Sequence, residues 1–258
     1  MPKRIFLAGA AGALGRRLVP LLLAEGYQVT GTTRSADKVA MLQRMGVAPA
    51  VVDVFEAAAL REAVIAASPE IVIHQLTDLP AGINPALKDS VLMDPVLMDE
   101  ARLRNARLRE IGTRHLVDAA LAAGASRLIA QSIAFLYAPL RAARPLREED
   151  PLDLAVTGIR AASVKGVTAL EESVLKTPGI AGIVLRYGQL YGPGTGVETA
   201  GGTAPVHVDA AARAALLAIT RGAPGIYNIA EEHGVEHGAV ASDKARRELG
   251  WDPAFRLA

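Results

Sequence analysis

Three glycines lie near the start of the chain at intervals of three positions: Gly9, Gly12 and Gly15. They follow a short apolar run typical of a strand and open a stretch with the pattern of a helix. Glycines in such a turn allow a tight bend, the close approach of a pyrophosphate, and close helix–strand packing. The first amides of the helix, with its partial positive charge, can hold phosphate oxygens. The predicted phosphate-binding residues are Gly9, Ala11, Gly12, Ala13, Leu14 and Gly15.

The end of the second strand-like run indicates which dinucleotide would bind. An acidic residue there would hold a ribose 2′-hydroxyl, whereas an arginine suits a 2′-phosphate. This chain has Thr33, Arg34 and Ser35 at that point, and no carboxylate precedes Asp37. A guanidinium flanked by two hydroxyls is a good phosphate ligand. The pattern therefore favours NADP, with NAD as the alternative, although Arg34 also fits a solvated loop.

The elements that must position these residues alternate along the whole chain. Several strand-like runs are apolar without alternation, as expected for strands covered on both faces. Such strand–helix alternation predicts an α/β fold, a doubly wound parallel sheet (Rossmann fold) of about seven strands. The predicted strands are Arg4–Ala8, Gln28–Thr33, Pro49–Val54, Glu70–Leu76, Arg127–Ser132, Ile180–Tyr187 and Gly225–Ile229. The predicted helices are Ala13–Glu25, Ala36–Met45, Ala57–Ala66, Asp99–Ala123, Ser163–Lys176, Asp209–Thr220 and Ser242–Leu249.

Composition excludes several classes of protein. Hydrophobic residues make up 51% of the chain and charged residues 21%, which is ordinary globular usage and not that of a disordered chain. The net charge of +1 gives no electrostatic footprint for nucleic acid or an anionic membrane. The absence of cysteine excludes disulfides and thiolate chemistry. No apolar run approaches the ~20 residues of a membrane span, so we expect a soluble, cytoplasmic protein.

One segment spells a zinc-binding pattern, with His233 and His237 flanking Glu236. That pattern works when one helical face carries both imidazoles. Gly234 and Gly238 disfavour a helix there, so we predict a polar surface loop and no metal site.

Several further motifs resemble the extended branch of the short-chain dehydrogenase/reductase superfamily, the nucleotide-sugar epimerase and dehydratase type. The glycine spacing is that branch's form, and the resemblance covers nearly the whole chain. It implies that Asp53 and Val54 meet the adenine of the cofactor. It also implies that Leu76 and Thr77 lie beside its ribose and that Tyr187 lies behind its nicotinamide. The motifs that carry the resemblance are Asp53-Val54, Ile71–Thr77, Gly112–Ala120, Leu185–Gly194, His207–Asp209 and Lys244–Trp251.

The chain departs from that superfamily at the residues that transfer protons. There, a tyrosine and a lysine four positions later transfer the proton that accompanies hydride transfer. The ammonium lowers the phenol pKa, ~10 when unperturbed, toward neutrality. None of the five tyrosines here has a lysine four positions on. One alignment places Ser163 and Val167 at the two positions and another places Ala161 and Lys165 there, so the chain resembles atypical members.

Other side chains are candidates for the missing proton donor. Ser132 lies one residue from the position of the superfamily's catalytic serine and is the catalytic candidate. His74 and Tyr187 are further candidates because they lie at the ends of predicted strands. A hydrogen-bonded structural histidine and a packing tyrosine are, however, the commoner roles of such residues. Water is a further source of the proton.

The C-terminal part is short for the extended branch. About a dozen residues separate Ile229 from Ser242, where extended members place several tens. We therefore expect one domain over 1–258 with a small substrate lobe formed by parts of 188–205 and 230–258. A small lobe favours a small carbonyl-like substrate over a large nucleotide sugar. The resemblance also implies a homodimer through the long predicted helix.

Together these features favour an NADP(H)-dependent oxidoreductase of the atypical type. Two alternatives stay open. The missing residues also suit a non-catalytic NAD(P)-binding redox sensor, and the resemblance also suits an epimerase or isomerase with a tightly held cofactor. Whether the chain is an enzyme is therefore left open by its sequence.

Overall fold

A parallel β-sheet forms the centre of the molecule. The computed structural model describes residues 3–78, 95–139, 144–202, 204–231 and 239–257. The strands are β1 (Arg4–Ala8), β2 (Gln28–Thr33), β3 (Ala48–Val51), β4 (Ile71–His74), β5 (Arg127–Ile133), β6 (Ala181–Tyr187), β7 (Gln189–Tyr191), β8 (Pro205–His207) and β9 (Gly225–Ile229). Within the described residues, seven of them form one sheet in the order β3-β2-β1-β4-β5-β6-β9, with every neighbouring pair parallel.

Helices cover both faces of this sheet. They are α1 (Ala13–Ala24), α2 (Val39–Arg44), α3 (Ala57–Ala67), α4 (Pro95–Arg107), α5 (Thr113–Ala122), α6 (Ile159–Leu175) and α7 (Val208–Leu217). A 3₁₀ turn precedes α2, and π-helical segments occur at Leu108–Gly112 and Ala245–Leu249. Side chains of β1 alternate between the two layers: Ile5 and Leu7 pack with α1 and α7, while Phe6 and Ala8 pack with α3 and α5.

The strand order changes direction beside β1, because β2 lies on one side of it and β4 on the other. Ligands of open parallel sheets bind outside the carboxyl ends of the strands at such a switch point. Ala8 ends β1 and pairs with His74, the last residue of β4. The loops that follow these two residues therefore meet at one edge of the sheet.

The predicted doubly wound sheet is confirmed, with differences at strand ends. The third strand stops at Val51, because Asp53 accepts a hydrogen bond from the Phe55 amide and starts a turn. The fourth strand stops at His74, whose Nδ1 accepts the Leu76 amide and bends the chain away from the sheet. Residues predicted as strand ends thus line the edge of the sheet as loops.

Two further features differ from the predictions. The long helix predicted over 99–123 is observed as α4, the π-helical segment Leu108–Gly112, and α5. In addition, β7 and β8 form a separate two-stranded parallel pair that was not predicted. Strands of three residues are too short for an alternating pattern to reveal them.

The C-terminal residues pack onto the main core. Leu249 and Trp251 belong to the hydrophobic cluster that contains α1 and α7, and Trp251 Nε1 donates a hydrogen bond to Ala210 O at 2.8 Å. The segment 233–237 with the zinc-like pattern lies outside the described residues. In the part of the chain that the structure describes, every helix is too short or too polar to cross a membrane.

Candidate functional site

The glycine-rich turn joins β1 to α1 in a conformation that only small residues permit. Gly9 has φ +93°, and a Cβ there would lie 2.6 Å from Gln75 O, so a side chain would collide with the end of β4. A Cβ at Gly15 would collide with Gly9 O and would lie 2.7 Å from Ala10 O. These two glycines therefore bring the helix start close to the ends of β1 and β4.

Gly12 has a different role, because it caps α1 without a side chain. Its backbone is extended (φ −77°, ψ 174°), and its amide bonds to Gly9 O at 3.0 Å. The next amides, at the first helical positions, have no intrahelical partner in any α-helix. With no side-chain cap at Gly12, these amides can receive a phosphate.

An open cleft extends from this turn across the ends of β1, β2 and β4. The loop after β3 and the start of the π-helical segment close its other side. Eight predicted cofactor residues line it, namely Gly9, Ala11, Gly12, Thr33, Arg34, Val54, Leu76 and Thr77. Sequence reasoning did not select other lining residues, namely Ala8, Thr32, Lys38, Val52, Leu60, Gln75 and Leu108.

The far end of the cleft carries positive charge. Arg34 is half-exposed, and its guanidinium pairs with Asp78 Oδ1 at 2.9 Å. The exposed Lys38, four positions on, also lines the cleft, and this spacing could have identified it. Thr33 Oγ1 is used locally, since it accepts from the Ser35 amide at 3.1 Å and donates to the Ser35 carbonyl at 3.2 Å. The two cations are therefore the groups best able to hold a phosphate there.

Five other predicted cofactor residues lie outside the cleft lining, namely Tyr187, described below, and four residues near the two turns. Ala13, Leu14 and Gly15 begin α1, and Leu14 and Gly15 are buried beneath the turn. Asp53 caps the turn after β3, next to Val54. They shape the cleft from behind, and the amides of the helix start remain the part that can contact a phosphate.

His74 is a buried structural group at the end of β4. Its Nε2 hydrogen-bonds to Thr113 Oγ1 at 3.0 Å, and its Nδ1 accepts from the Leu76 amide at 3.2 Å. Burial, together with the positive charge of Arg109, lowers the His74 pKa to about 4. The imidazole is thus neutral at physiological pH and uses both nitrogens within the fold.

Tyr187 is also buried, at the end of β6. It is 1% exposed and belongs to the main hydrophobic cluster. Gln75 Nε2 donates to its hydroxyl at 3.4 Å, and burial raises the Tyr187 pKa. The phenol is therefore poorly suited to release a proton near neutral pH. Gln75 Oε1 is sealed from solvent and has no hydrogen-bond partner within the described residues.

Ser132 is fully buried in an ion-pair network at the end of β5. Its hydroxyl donates to Glu171 Oε1 at 2.8 Å. The same carboxylate binds Arg186 through two bonds, of 2.8 Å from Nε and 2.6 Å from Nη2. Burial acts to lower the Arg186 pKa, but the Glu171 bonds outweigh it and the pKa is raised. The Ser132 hydroxyl is therefore used in this network, and Ser132 does not belong to the cleft lining.

The glycine turn, the uncapped helix start and the two cations fit one class of ligand. They suit a dinucleotide with a pyrophosphate at the turn and a further phosphate near Arg34. The fold and site therefore define a dinucleotide-binding α/β protein.

Comparison with known proteins agrees with this class. Residues 9–218 match the model of a family described as NAD(P)H-binding. A protein from Streptomyces sp., named "3-diazoavenalumate denitrifying reductase", is 41% identical over 251 residues, which cover 89% of this chain and 76% of the relative. The chain belongs to this NAD(P)H-binding family.

Solved structures share the fold. The UDP-glucose 4-epimerase of Thermotoga maritima, determined with UDP-glucose, superposes with a TM-score of 0.74 at 20% identity, covering 98% of this chain and 94% of that one. The Thermus thermophilus UDP-glucose 4-epimerase with NAD gives 0.73 at 20% identity, covering 98% and 95%. The predicted resemblance to extended short-chain dehydrogenases/reductases is thereby confirmed for the fold.

Proposed function

We propose that this protein is an NADPH-dependent reductase that removes a diazo group from a small aromatic substrate. The observation that carries the proposal is a cleft that suits a dinucleotide, in a chain whose sequence lacks the superfamily's tyrosine–lysine pair. The 41% identical relative is named as a reductase that denitrifies a diazo compound, and that chemistry suits such a site. When bound, NADPH supplies a hydride.

The absence of the tyrosine–lysine pair matters because reductions differ in whether the protein must donate a proton to the substrate. Reduction of a carbonyl creates an alkoxide, so a positioned acid must protonate its oxygen. An arenediazonium group already carries the positive charge that accepts a hydride. Its reduction breaks the carbon–nitrogen bond, releases N₂ and leaves hydrogen on the ring carbon. For a diazonium phenolate, one proton from water completes the balance, and no oxygen atom requires a dedicated acid in the transition state.

The residues of this chain then bind and orient the reactants. The amides at the start of α1 would hold the pyrophosphate, and Arg34 and Lys38, which line the cleft, would hold the 2′-phosphate. His74 and Tyr187 are buried behind the cleft lining and do not titrate near neutral pH. This assignment selects NADPH over NADH, because NADH lacks the phosphate that the two cations would bind.

The substrate is tested with a matched pair of compounds on one skeleton. We expect diazotised 3-amino-4-hydroxycinnamate to consume NADPH and release N₂ in equal amounts, measured by absorbance at 340 nm and by gas analysis. 4-Hydroxycinnamaldehyde, a carbonyl of similar size, should not be reduced. Reduction of the aldehyde alone would favour the carbonyl-reductase hypothesis. Tight NADPH binding without turnover of either compound would favour the redox sensor.

The cofactor preference is tested at Arg34. Arg34→Ala should weaken NADPH binding ~10- to 100-fold, because a charge-assisted bond contributes ~1.5–3 kcal/mol. NADH binding should change little. Arg44→Ala is the control, since Arg44 is exposed on α2 and lies outside the cleft lining. Equal effects on NADPH and NADH would contradict the assignment of the 2′-phosphate to Arg34.

A further inference from the structure

The π-helical segment Leu108–Gly112 holds a buried arginine with no assigned role. Arg109 is 7% exposed, and the neighbouring Leu108 lines the cleft. Within the described residues, Arg109 has no hydrogen bond and no ion pair, whereas the equally buried Arg186 has a bidentate carboxylate. π-Helical turns are rare and occur frequently at functional sites. A buried guanidinium without a partner is costly to the fold, so its retention calls for an explanation.

The groups around Arg109 do not neutralise it. Glu171 is the negative group that acts on the Arg109 pKa, but its two oxygens already accept three hydrogen bonds from Ser132 and Arg186. His74 is a neutral imidazole. Burial lowers the Arg109 pKa to about 10, with Glu171 acting in the opposite direction, so the guanidinium stays charged at neutral pH. In the part of the chain that the structure describes, the charged guanidinium of Arg109 therefore has no paired carboxylate.

Close backbone packing fixes where this charge lies. A Cβ at Gly166 of α6 would come within 2.8 Å of Ala106 O, and one at Gly112 within 2.9 Å of Val54 Cγ1. The segment is thus held between α6 and the loop after β3. Its electrostatic neighbour Glu171 lies one helical turn after Val167, the position where one alignment places the missing lysine.

The Arg109 nitrogens also retain access to open space. Among the described residues, the unpaired buried side-chain nitrogens and oxygens that are sealed from solvent belong to Gln75, Arg127 and Gln189. The Arg109 nitrogens are unpaired but are not sealed.

We propose that Arg109 binds an anionic oxygen of the substrate, a carboxylate or phenolate of a small aromatic acid, next to the point where its neighbour Leu108 lines the cleft. This inference rests on the proposed reductase function, and it adds the charge of the substrate. The binding energy of the anion offsets the cost of keeping a bare guanidinium buried. The same cation favours the anionic form of a phenol, and it does so from a different helix than the superfamily's lysine.

The test measures analogue binding to the NADP⁺-loaded protein by calorimetry. 4-Hydroxycinnamate is the probe, 4-hydroxycinnamamide lacks the carboxylate, and 4-methoxycinnamate lacks the ionisable phenol. We expect the probe to bind at least ~10-fold more tightly than one of the two analogues, which identifies the oxygen that Arg109 holds. Arg109→Met should remove this preference, and Arg109→Lys should retain part of it. No binding of the probe, no preference between the compounds, or an unchanged preference in Arg109→Met overturns the proposal.

A structural role predicts a different result for stability. Arg109→Met removes an unpaired buried charge, so the melting temperature should stay level or rise, and NADPH affinity should stay within ~2-fold of the wild type. Arg104→Met on the exposed side of α4 is the control and should change neither the melting temperature nor probe binding. A fall in the melting temperature of Arg109→Met assigns Arg109 to the fold and overturns its role as a ligand-binding residue. Failure of diazo turnover with an intact anion preference would instead refute only the reaction.

Discussion

The substitution Gly12→Ala separates cofactor binding from folding within the glycine-rich turn. A Cβ built at Gly12 has a single neighbour within 4 Å, Gly9 O at 3.3 Å, and the backbone there is extended, so alanine fits after a shift of a few tenths of an ångström. The fold should therefore survive. In contrast, the same change at Gly9 or Gly15 would collide with backbone and damage both properties.

The added methyl group enters the cleft at the uncapped start of α1. A phosphate oxygen must approach these amides to ~2.7–2.9 Å to form charge-assisted bonds. Displacing it removes one such bond, at ~1.5–3 kcal/mol, which corresponds to a ~10- to 100-fold higher Kd for NADPH. The expected change in melting temperature is within a few degrees, since no core contact is altered.

The assay is a fluorescence titration of NADPH with the variant and the wild type, paired with thermal unfolding of the cofactor-free proteins. Gly201→Ala is the matched control, because Gly201 is exposed, has no neighbour within 4 Å of its added Cβ and lies outside the cleft lining. An unchanged Kd for Gly12→Ala in a normally folded protein would refute the placement of the pyrophosphate at this turn.

Two further predictions concern the buried polar groups. Glu171→Gln should destabilise the protein by ~3–5 kcal/mol in urea unfolding, because it leaves buried Arg186 uncompensated, whereas Glu172→Gln on the exposed face of α6 should cost ~0.5 kcal/mol or less. Similar losses for both would contradict the network. The pKa of His74 is about 4 in the folded protein, below the ordinary value of 6.5. Its contribution to stability is therefore full above pH 6.5 and is lost as the pH falls toward 4, because the unfolded chain then binds a proton that the folded protein does not. Between pH 7 and pH 4.5, the free energy of unfolding should fall by up to ~3 kcal/mol because of this residue, and the fall should be smaller in His74→Asn. An equal fall in that variant would contradict the lowered pKa of His74.

The succession of strands and helices along the chain could be predicted well from the sequence. Glycine spacing and unbroken apolar runs are local signals, so Gly9, Gly12 and the seven strands could be located from them. The inner end of the cleft could not be predicted in the same way. Ser132 looked like a catalytic group by position, but its hydroxyl is used by Glu171, a residue 39 positions away in the sequence.

The burial of Arg109 could not be predicted from local sequence patterns either. Among the arginines of the predicted long helix, its sequence context resembles that of exposed neighbours such as Arg104 and Arg107. Its burial depends on the π-helical turn, which shifts side chains relative to an α-helical pattern, and on packing against α6. Such tertiary contacts are invisible to helical periodicity.

The most direct measurement is a titration of the wild-type protein with NADPH and with NADH, followed by the fluorescence of the reduced nicotinamide. A cleft with a phosphate-binding turn at one end and two cations at the other predicts saturable binding of one NADPH per chain, tighter than that of NADH. Equal affinity for both would contradict the assignment of Arg34 and Lys38. No saturable binding of either at millimolar concentration would contradict the dinucleotide site itself.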